Sequence, residues 1–537
     1  MRRAILAIVS LAGCTRTGGL DLDLTMPTDS DLRPTGMTQI SVVASSPDFA
    51  TQTNTSLLDG DSFSAGVLPV GKNVQIDVLF HDDSNLLVGV GEAQQLVSIA
   101  ADQQTSLTIP MRKPFIYASD GTSLYSFDPT VDPRGSAFQG KLGGVTAPQL
   151  AISVGGERLV VASTNSLQVV ETDTNTVSGS PISIPGMISD AAPVPGTDSI
   201  AVAHSAGISI VNLDTGDVQT SGGMAVDRVT VGPDGSGAMI ATGVVGRVTP
   251  PASTEACAGT STLVSTTVVS PPAMLTAVPV KTAVAIADVA AAPDTNALFA
   301  ALSCNNEVGK LVDGDFQSVS TLSRAALVAV AGDHVYAAGT VPSQPQCQIN
   351  TSGSDAPCTT GATASCTGKD AEIVYVTDGA HVVMQSIPVT GSDAPVSFDL
   401  PEPRETIVST DDPGLQHAQV LKSLALAPID LVTLPGGQYV SIVLQTRYFI
   451  QALSEEQDGE QIVLLPCLDV TTGDWQLIDT ANTDVAQRVR TECDLSIGPT
   501  DPNTIFTDWA CDDPPAGQAP TQGTYLPISV GALFGAR

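Results

Sequence analysis

Short apolar runs separated by turn residues recur along most of this chain. Residues 228–242 show the pattern: Val229 and Val231 alternate with polar neighbours, a Gly-Pro-Asp-Gly turn follows, and residues 238–241 are apolar throughout. Alternation followed by a turn and a short apolar run predicts a β-hairpin whose second strand is buried on both faces. Related segments begin near residues 149, 190, 288, 326, 430 and 494.

Seven copies of one small unit predict a closed repeat architecture. One hairpin cannot bury its own apolar faces, whereas a ring of stacked sheets buries them and leaves few open edges. Residues 115–127 and 159–171 align with each other and have the pattern of the second and third strands of a four-stranded blade. We therefore predict an all-β chain with a seven-bladed β-propeller over residues 113–537.

A different alternating pattern precedes this region. Six short alternating segments between residues 38 and 112 predict a small β-sandwich. Residues 18–33 are rich in Asp, Thr and Gly with little periodicity, which is typical of a linker. We therefore predict a flexible tether at residues 14–37 and a sandwich domain at residues 38–112.

Turn sequences carry a resemblance to known folds. Residues 212–218 read Asn-Leu-Asp-Thr-Gly-Asp-Val and residues 469–475 read Asp-Val-Thr-Thr-Gly-Asp-Trp. Together with the Pro-Asp-Gly hairpin, they resemble the turns of YVTN-type and WD40-like seven-bladed propellers. This resemblance implies a fold and hardly any function, because such propellers serve as scaffolds, binders, lyases and dehydrogenase subunits. Residues 66–71 resemble a turn of transthyretin-like modules, which implies a transthyretin-like or immunoglobulin-like sandwich.

The N-terminus has the features of an export signal. Residues 1–3 are basic after the initial Met, and the apolar run at residues 4–12 is far shorter than the roughly 20 residues that span a bilayer. Residues 11–14, Leu-Ala-Gly-Cys, resemble the lipobox of bacterial lipoproteins. The resemblance implies removal of residues 1–13 as a signal peptide and lipid attachment at Cys14. Thr15 after the cysteine implies the outer membrane of a Gram-negative bacterium; the alternative is an ordinary signal peptide.

The remaining cysteines predict disulfides. A lipidated Cys14 leaves eight of nine cysteines, an even number in an exported chain, so up to four disulfides can form. We predict that a hairpin centred on Pro502 pairs two of them and closes the propeller, and that two others pair between neighbouring blades. The first pair is Cys493 with Cys511, the second is Cys257 with Cys304, and Cys467 is left with Cys347, Cys358 and Cys366 in an open connectivity.

Four insertions interrupt the repeats, at residues 250–261, 341–370, 401–419 and 454–460. Three follow a predicted second strand and one follows a predicted fourth strand. In a four-stranded blade these two connections emerge on the same face. The insertions therefore predict a single recognition face, since loops on a rigid scaffold commonly carry binding.

Charge and motifs restrict the chemistry. A net charge of −34 with only 22 Lys and Arg residues argues against a nucleic-acid partner. The five histidines are far apart and none has metal-ligand spacing. We find no phosphate-binding glycine loop and no Ser-His-Asp context. The two tryptophans, Trp475 and Trp509, do not form the repeated docking motif of quinoprotein dehydrogenases. We therefore predict no catalytic, cofactor-binding or metal-binding residues.

These observations favour a non-enzymatic, lipid-anchored envelope protein. In this interpretation the propeller is a rigid platform whose variable loops bind a protein or a glycan. One alternative is a propeller enzyme, a lyase or hydrolase, acting from the central channel, where a cluster of His, Arg and Glu at the channel mouth would favour it. Another alternative is a subunit of an envelope assembly complex, docked through the sandwich.

Overall fold

The computed structural model describes 40 elements, and in the described residues all of them are β-strands. No helix in that part of the chain has the length and apolar character needed to cross a bilayer. The description covers residues 17–533 with gaps, and residues 1–16 and 534–537 lie outside it. The larger gaps are 128–137, 243–260, 267–274, 279–284, 358–373, 400–419 and 478–528.

The first eight strands form one hydrogen-bonded path around a single apolar cluster. Along the fifth strand Val74, Ile76, Val78 and Phe80 occupy every second position and pack in this cluster, as the period of 2 in a strand requires. The strands pair in the order β3-β2-β5-β6-β8-β1-β4, with β7 on β5. Their bounds are β1 (Thr17–Thr25), β2 (Gln39–Ser46), β3 (Phe49–Leu57), β4 (Ser64–Pro69), β5 (Gly71–His81), β6 (Leu87–Glu92), β7 (Val97–Ile99) and β8 (Gln104–Arg112).

Strand β1 differs from the flexible tether predicted at residues 14–37. It pairs parallel to β8 from Gly19 to Thr25 and antiparallel to β4. The reason is a leucine alternation inside an Asp-rich segment: Leu20 is fully buried in the cluster, and Leu22 and Leu24 pack against it. The N-terminal domain therefore begins at β1 and includes much of the predicted tether.

Five sheets follow along the chain. The first contains three consecutive strands from this region, and each of the other four contains four consecutive strands. The strands are β9 (Ile116–Ser119), β10 (Leu124–Phe127) and β11 (Phe138–Leu142); β12 (Leu150–Val154), β13 (Arg158–Ala162), β14 (Ser166–Glu171) and β15 (Thr176–Ser183); β16 (Ile188–Val194), β17 (Ser199–His204), β18 (Gly207–Asn212) and β19 (Val218–Gly222); β20 (Arg228–Val231), β21 (Ala238–Thr242), β22 (Thr262–Thr266) and β23 (Thr276–Ala277); β24 (Asp288–Ala291), β25 (Leu298–Leu302), β26 (Glu307–Val312) and β27 (Asp315–Thr321).

Two further sheets contain most of the remaining strands. One pairs in the order β28-β29-β33-β34 and the other in the order β31-β30-β32-β35-β36-β38-β39, with β37 on β36. The last strand, β40, joins β9. These strands are β28 (Ala325–Ala331), β29 (His334–Pro342), β30 (Gln346–Ile349), β31 (Asp355–Pro357), β32 (Val374–Thr377), β33 (Ala380–Pro388), β34 (Val396–Asp399), β35 (Val420–Thr433), β36 (Tyr439–Ala452), β37 (Glu455–Leu464), β38 (Pro466–Asp469), β39 (Asp474–Leu477) and β40 (Ser529–Leu533).

The seven sheets are arranged like a propeller. Their innermost strands contact one another in turn, from β12 through β16, β20, β24, β28 and β35 to β40, and β40 contacts β12. Strand β17 shows why the apolar runs are short and continuous. Its Ile200 and Val202 pack into the cluster shared with the preceding sheet, whereas Ala201 and Ala203 pack into the cluster shared with the next one. A strand stacked between two sheets is buried on both faces, as the sequence predicted.

The chain closes the ring through β40. Val530 pairs with Ala118 and Leu533 with Ile116 of β9, so β9 and β10 are the second and third strands of their sheet, as predicted for residues 115–127. The predicted closing element was the hairpin between Cys493 and Cys511, which lies outside the described residues. In the structure the strand beside β9 is β40, at Ser529–Leu533.

Candidate binding face

Strand order divides the connections of the ring between two faces. Turns after first and third strands, such as residues 171–176, 195–198 and 213–217, lie on what we call the docked face. Connections after second and fourth strands, such as residues 184–187 and 204–207, lie on the opposite side, which we call the insertion face. The four predicted insertions all fall in connections of the second kind, between β21 and β22, β29 and β33, β34 and β35, and β36 and β38.

The sheet that contains β35 and β36 extends beyond the ring on the insertion face. Strands β35 and β36 have 14 residues each, and only their ring-proximal ends, such as Leu431 paired with Ile442, belong to the blade-like sheet. The distal half of β35 pairs parallel with β32 at residues 420–423, and the distal half of β36 pairs with β37. We call the combination of β30, β31, β32, β37 and these distal halves the insertion sheet.

Two of the predicted insertions supply strands of the insertion sheet. Strands β30 and β31 come from the insertion at residues 341–370, and β37 contains most of the insertion at residues 454–460. Residues 401–419 and most of residues 250–261 lie outside the described residues. The segments predicted to be recognition loops from their position in the repeat are therefore, in part, strands of this sheet.

The N-terminal domain occupies part of the docked face. The two terminal nitrogens of Arg112 donate hydrogen bonds to the carbonyl oxygen of Thr172, at 2.6 and 2.9 Å. Beside this contact, Tyr117 of the ring strand β9 donates from its Oη to Asn175 Oδ1 at 3.0 Å, a bond between two sheets of the ring. Gly196, with a φ of 73°, lies so close to Leu96 that a Cβ at this position would be 2.9 Å from its Cγ. The first strand entered from this domain, β9, is a second strand, and second strands begin on the docked face.

The Arg112 guanidinium is buried in this interface. Burial lowers its pKa to about 10, while Tyr117 and Asp173 oppose the decrease. Burial also raises the pKa of Tyr117, and the Arg112 charge opposes that increase. Arg112 is therefore still cationic at neutral pH, and its hydrogen bonds to Thr172 are charge-assisted.

A second arginine links two sheets on the docked face. Arg158 Nη2 lies 2.7 Å from Asp214 Oδ1, Nη1 lies 3.7 Å from Asp198 Oδ1, and Nε lies 3.8 Å from Glu171 Oε1. Burial alone would lower the pKa of Arg158, but the hydrogen bond to Asp214 and the neighbouring carboxylates raise it. Among the described residues no group of three or more His, Cys, Asp or Glu side chains is placed to hold a metal ion.

Charged side chains near the start of the innermost strands join one sheet to the next. Val229 N–H donates to Asp190 Oδ2 at 3.0 Å, and Val328 N–H donates to Asp288 Oδ2 at 3.1 Å. The other oxygen of Asp288 lies 3.6 Å from Arg228 Nε, with both side chains almost fully buried. These contacts give the charged residues at this end of the channel a structural role in connecting sheets.

His204 lies in a hydrogen-bonded chain that crosses one sheet. Its Nδ1 accepts from Ala206 N–H at 3.2 Å, so the neutral ring carries its proton on Nε2 and donates to Ser209 Oγ at 2.9 Å. Ser209 Oγ in turn lies 2.7 Å from Thr220 Oγ1. Burial lowers the pKa of His204, which favours this neutral form.

The same turn positions two exposed methionines on the insertion face. Ser205 exchanges hydrogen bonds with Met187 through Ser205 N–H to Met187 O and Met187 N–H to Ser205 Oγ. On the other side Val226 N–H donates to His204 O. Met187 is 61% exposed and Met224 is 42% exposed. Exposed, flexible methionines are suited to contact with apolar surfaces of a partner.

These two methionines are not among the residues predicted from the sequence, although the sequence contains a signal for them. Residues 186–190 and 223–227 both have the pattern Gly-Met-x-x-Asp, and in each case the segment connects a fourth strand to the next innermost strand. The two copies of this pattern lie one sheet apart along the chain. Because they occupy equivalent connections of two consecutive sheets, their methionines could be predicted to lie on the same face of the ring.

Most of the predicted site residues lie outside the described part of the chain. This applies to Cys14 and to Cys257, Cys358, Cys366, Cys493 and Cys511. Cys347 lies in β30 and Cys467 in β38. Cys304 is disulfide-bonded, and its pairing with Cys257 stays a prediction.

No protein-family model and no curated protein matches the chain. Among solved structures, Kuenenia stuttgartiensis hydrazine synthase is 12% identical, with 62% of this chain and 96% of that chain covered and a TM-score of 0.37. The Cps50 (Swd1) β-propeller domain of Myceliophteria thermophila is 8% identical, with the same coverage of 62% and 96% and a TM-score of 0.33. Likenesses this distant carry no argument, and the propeller-like arrangement follows from the strand order and contacts of the chain itself.

Proposed function

We propose that this protein is a lipid-anchored binding platform of the cell envelope, in which a seven-bladed β-propeller presents its insertion face to a protein or glycan partner. The observation that carries the proposal is the difference between the two faces. The docked face is partly covered by the N-terminal domain, whereas the insertion face carries the insertion sheet and the exposed Met187 and Met224. Partner binding on a rigid scaffold is commonly carried by such connections.

The anchor is proposed from the N-terminal sequence. A lipobox at residues 11–14 follows a basic start and a short apolar run, which supports acylation of Cys14 and attachment to the outer membrane. Several acyl chains give the stable attachment that a single chain does not. Intact-mass analysis of membrane-extracted protein tests this part: we expect a mature chain that starts at Cys14 and carries the lipid mass.

The binding face is tested by shortening the insertion sheet. Replacing residues 346–357 with a short Gly-Ser linker removes β30 and β31, which are peripheral to the ring. We expect the variant to keep its circular dichroism spectrum and its unfolding midpoint but to recover fewer envelope partners in affinity isolation from the native membrane. The matched control is Asp313→Gly, in a third-to-fourth-strand turn on the docked face with a φ of 51°.

Recovery of the same partners by the shortened variant and by the control would refute the insertion sheet as the binding element. Loss of partners from the control alone would place recognition on the docked face. Glycan partners are distinguished from protein partners by treating the extract with protease before the isolation.

A further inference from the structure

The described chain begins at one end of the N-terminal domain. Strand β1 starts at Thr17, which pairs with Pro69 at the end of β4. Asp102 N–H donates to the carbonyl oxygen of Thr17, so the turn that precedes β8 lies at the same end. We call this end, comprising Thr17, residues 67–72 and residues 100–103, the N-terminal tip.

The propeller-like ring lies toward the other end of the same strands. Strands β1 and β8 are parallel, with Gly19 opposite Gln104 and Thr25 opposite Pro110. Along β8 the chain runs from the tip to Arg112, which contacts the docked face. At about 3.3 Å per residue, β8 places the tip roughly 25 Å from this contact. Leu96, which also touches the docked face, lies four residues before the tip residue Ala100, so the ring contacts the side of the domain as well as the end opposite the tip. The insertion face lies beyond the ring, on its far side.

The N-terminal tip exposes apolar side chains. Val67 is 66% exposed and Val70 is 39% exposed. The exposed Lys72 follows them, and its backbone N–H is held by Asp48. Isolated exposed valines need no explanation, but these two flank the position where the chain enters the domain.

The short distance along the chain between Cys14 and Thr17 limits how far the tip can lie from a membrane to which Cys14 is attached. Only two residues lie between Cys14 and Thr17, so three residue steps separate them, and an extended chain spans at most about 3.6 Å per residue. An acylated Cys14 would therefore hold Thr17 within about 11 Å of the bilayer surface. At this distance Val67 and Val70 reach the interface, and Lys72 can keep its charged end in water while its stem lies along apolar surface.

We propose that the N-terminal tip, through Val67 and Val70, rests on the lipid bilayer and holds the propeller with its insertion face directed away from the membrane. This inference rests on the proposed lipid anchor at Cys14. We assign the bilayer that carries the anchor as the surface that the tip contacts, because Cys14 holds the tip close to it. The acidic Asp48 and Asp102 at the same end disfavour a general electrostatic attraction to anionic surfaces.

The test uses the full-length lipidated protein in phosphatidylcholine vesicles that contain a lipid with a nitroxide near the headgroup. An environment-sensitive fluorescent amino acid replaces Val70 in one variant and Met187, on the insertion face, in another. We expect the nitroxide lipid to remove most of the emission at position 70 and none of the emission at position 187. A fluorophore at position 67 provides a second probe should the substitution at Val70 prevent folding.

The outcomes separate the orientation from the anchor. If intact mass shows acylated Cys14 but positions 67 and 70 are not quenched, the anchor stands and the proposed contact is wrong. Quenching at position 187 instead would reverse the orientation. If the mass shows no lipid at Cys14, both the anchor and the contact that depends on it are overturned.

Discussion

At the scale of single residues, His204 illustrates how a buried polar group is accommodated in a stacked sheet. Its two ring nitrogens have different partners, Ala206 N–H and Ser209 Oγ. A proton added to Nδ1 would remove the acceptor that Ala206 requires and place a charge in the sheet. The environment therefore selects the neutral ring, and the lowered pKa of His204 expresses the same selection.

This arrangement predicts an acid-sensitive contribution to stability. The unfolded histidine has a pKa of about 6.5, whereas burial lowers the pKa of folded His204. The unfolded state therefore binds the proton more readily, so the contribution is present above about pH 6.5 and is lost as the pH falls through the folded pKa. We expect urea unfolding free energies to fall more steeply between about pH 7 and 5 for the natural protein than for His204→Gln.

His204→Gln is a suitable reference for the natural protein because the two proteins have the same carboxylates, so the difference between their pH dependences isolates His204. Equal pH dependence of the two proteins would show that His204 contributes nothing to acid sensitivity. A constant offset between the curves would report the lost hydrogen bonds alone.

At the scale of elements, β1 shows where composition misleads. Asp and Gly in residues 18–25 are typical of a linker, but the leucines recur at every second position, and this period places Leu20 in the core. The period of the leucines therefore predicts a strand at residues 18–25, whereas the composition of the same residues predicts a tether. The repeating hairpins were predictable for the opposite reason, because period, turn residues and strand length all agreed.

The Leu20 contact gives a matched pair of substitutions. Leu20→Ala removes a fully buried side chain of β1, so we expect a loss of about 2–5 kcal/mol in the free energy of unfolding. Leu57→Ala makes the same chemical change in β3 at a side chain that is 74% exposed, where we expect a change within about 0.5 kcal/mol. Urea denaturation measures both. Similar values for the two variants would argue that β1 does not belong to the core.

Other elements could not be predicted because their partners are distant in sequence. Strand β40 has no turn motif, and its role depends on β9, about 400 residues earlier. The insertion sheet requires a parallel pairing of β32 with β35 across an insertion, and no local pattern specifies such a pair. By contrast, the face that carries the insertions was predictable, because it depends only on the order of strands within each repeat.

Strand β40 gives a prediction about closure. Ending the chain after residue 528 removes β40 and leaves β9 with an unpaired edge beside the ring. Three paired positions, at about 1 kcal/mol of net stability for each backbone hydrogen bond, suggest a loss of about 3 kcal/mol. An open edge also favours association between molecules. We expect a lower thermal midpoint and oligomers in light scattering.

Ending the chain after residue 533 is the control for this truncation, since it removes only residues that follow β40. Its thermal midpoint should match that of the full chain. A tolerated truncation at residue 528 would mean that the ring is stable without closure by β40.

At the scale of the whole molecule, the docked interface fixes the N-terminal domain relative to the ring. The entry of the chain at β9, the Arg112 contact and the packing of Leu96 on Gly196 all act at the same face. Because several contacts hold the N-terminal domain against the ring, the orientation of this domain also sets the orientation of the propeller. The proposed direction of the insertion face therefore depends on this interface as much as on the lipid.

The interface can be tested with two arginines that make the same kind of contact. Arg112 and Arg33 each donate two hydrogen bonds to one backbone carbonyl oxygen, Thr172 O and Pro27 O respectively. Arg112 is buried and spans the interface, whereas Arg33 is exposed and bonds within its own domain. Because hydrogen bonds from a charged group are worth about 1.5–3 kcal/mol, and Arg112→Ala leaves a buried carbonyl without these donors, we expect a loss of about 3 kcal/mol. Arg33→Ala should lose less than about 1 kcal/mol, since water can replace an exposed donor.

Hydrogen exchange shows whether that loss belongs to the interface. In Arg112→Ala we expect faster exchange of the amides in residues 113–119 and 171–176, which lie on its two sides, and unchanged exchange in β17 and β18, which are remote from it. In Arg33→Ala all of these amides should exchange as in the natural protein. A stability loss in Arg112→Ala without faster exchange at these two segments would place its contribution inside the N-terminal domain, and the ring would then be free to reorient relative to the proposed anchor.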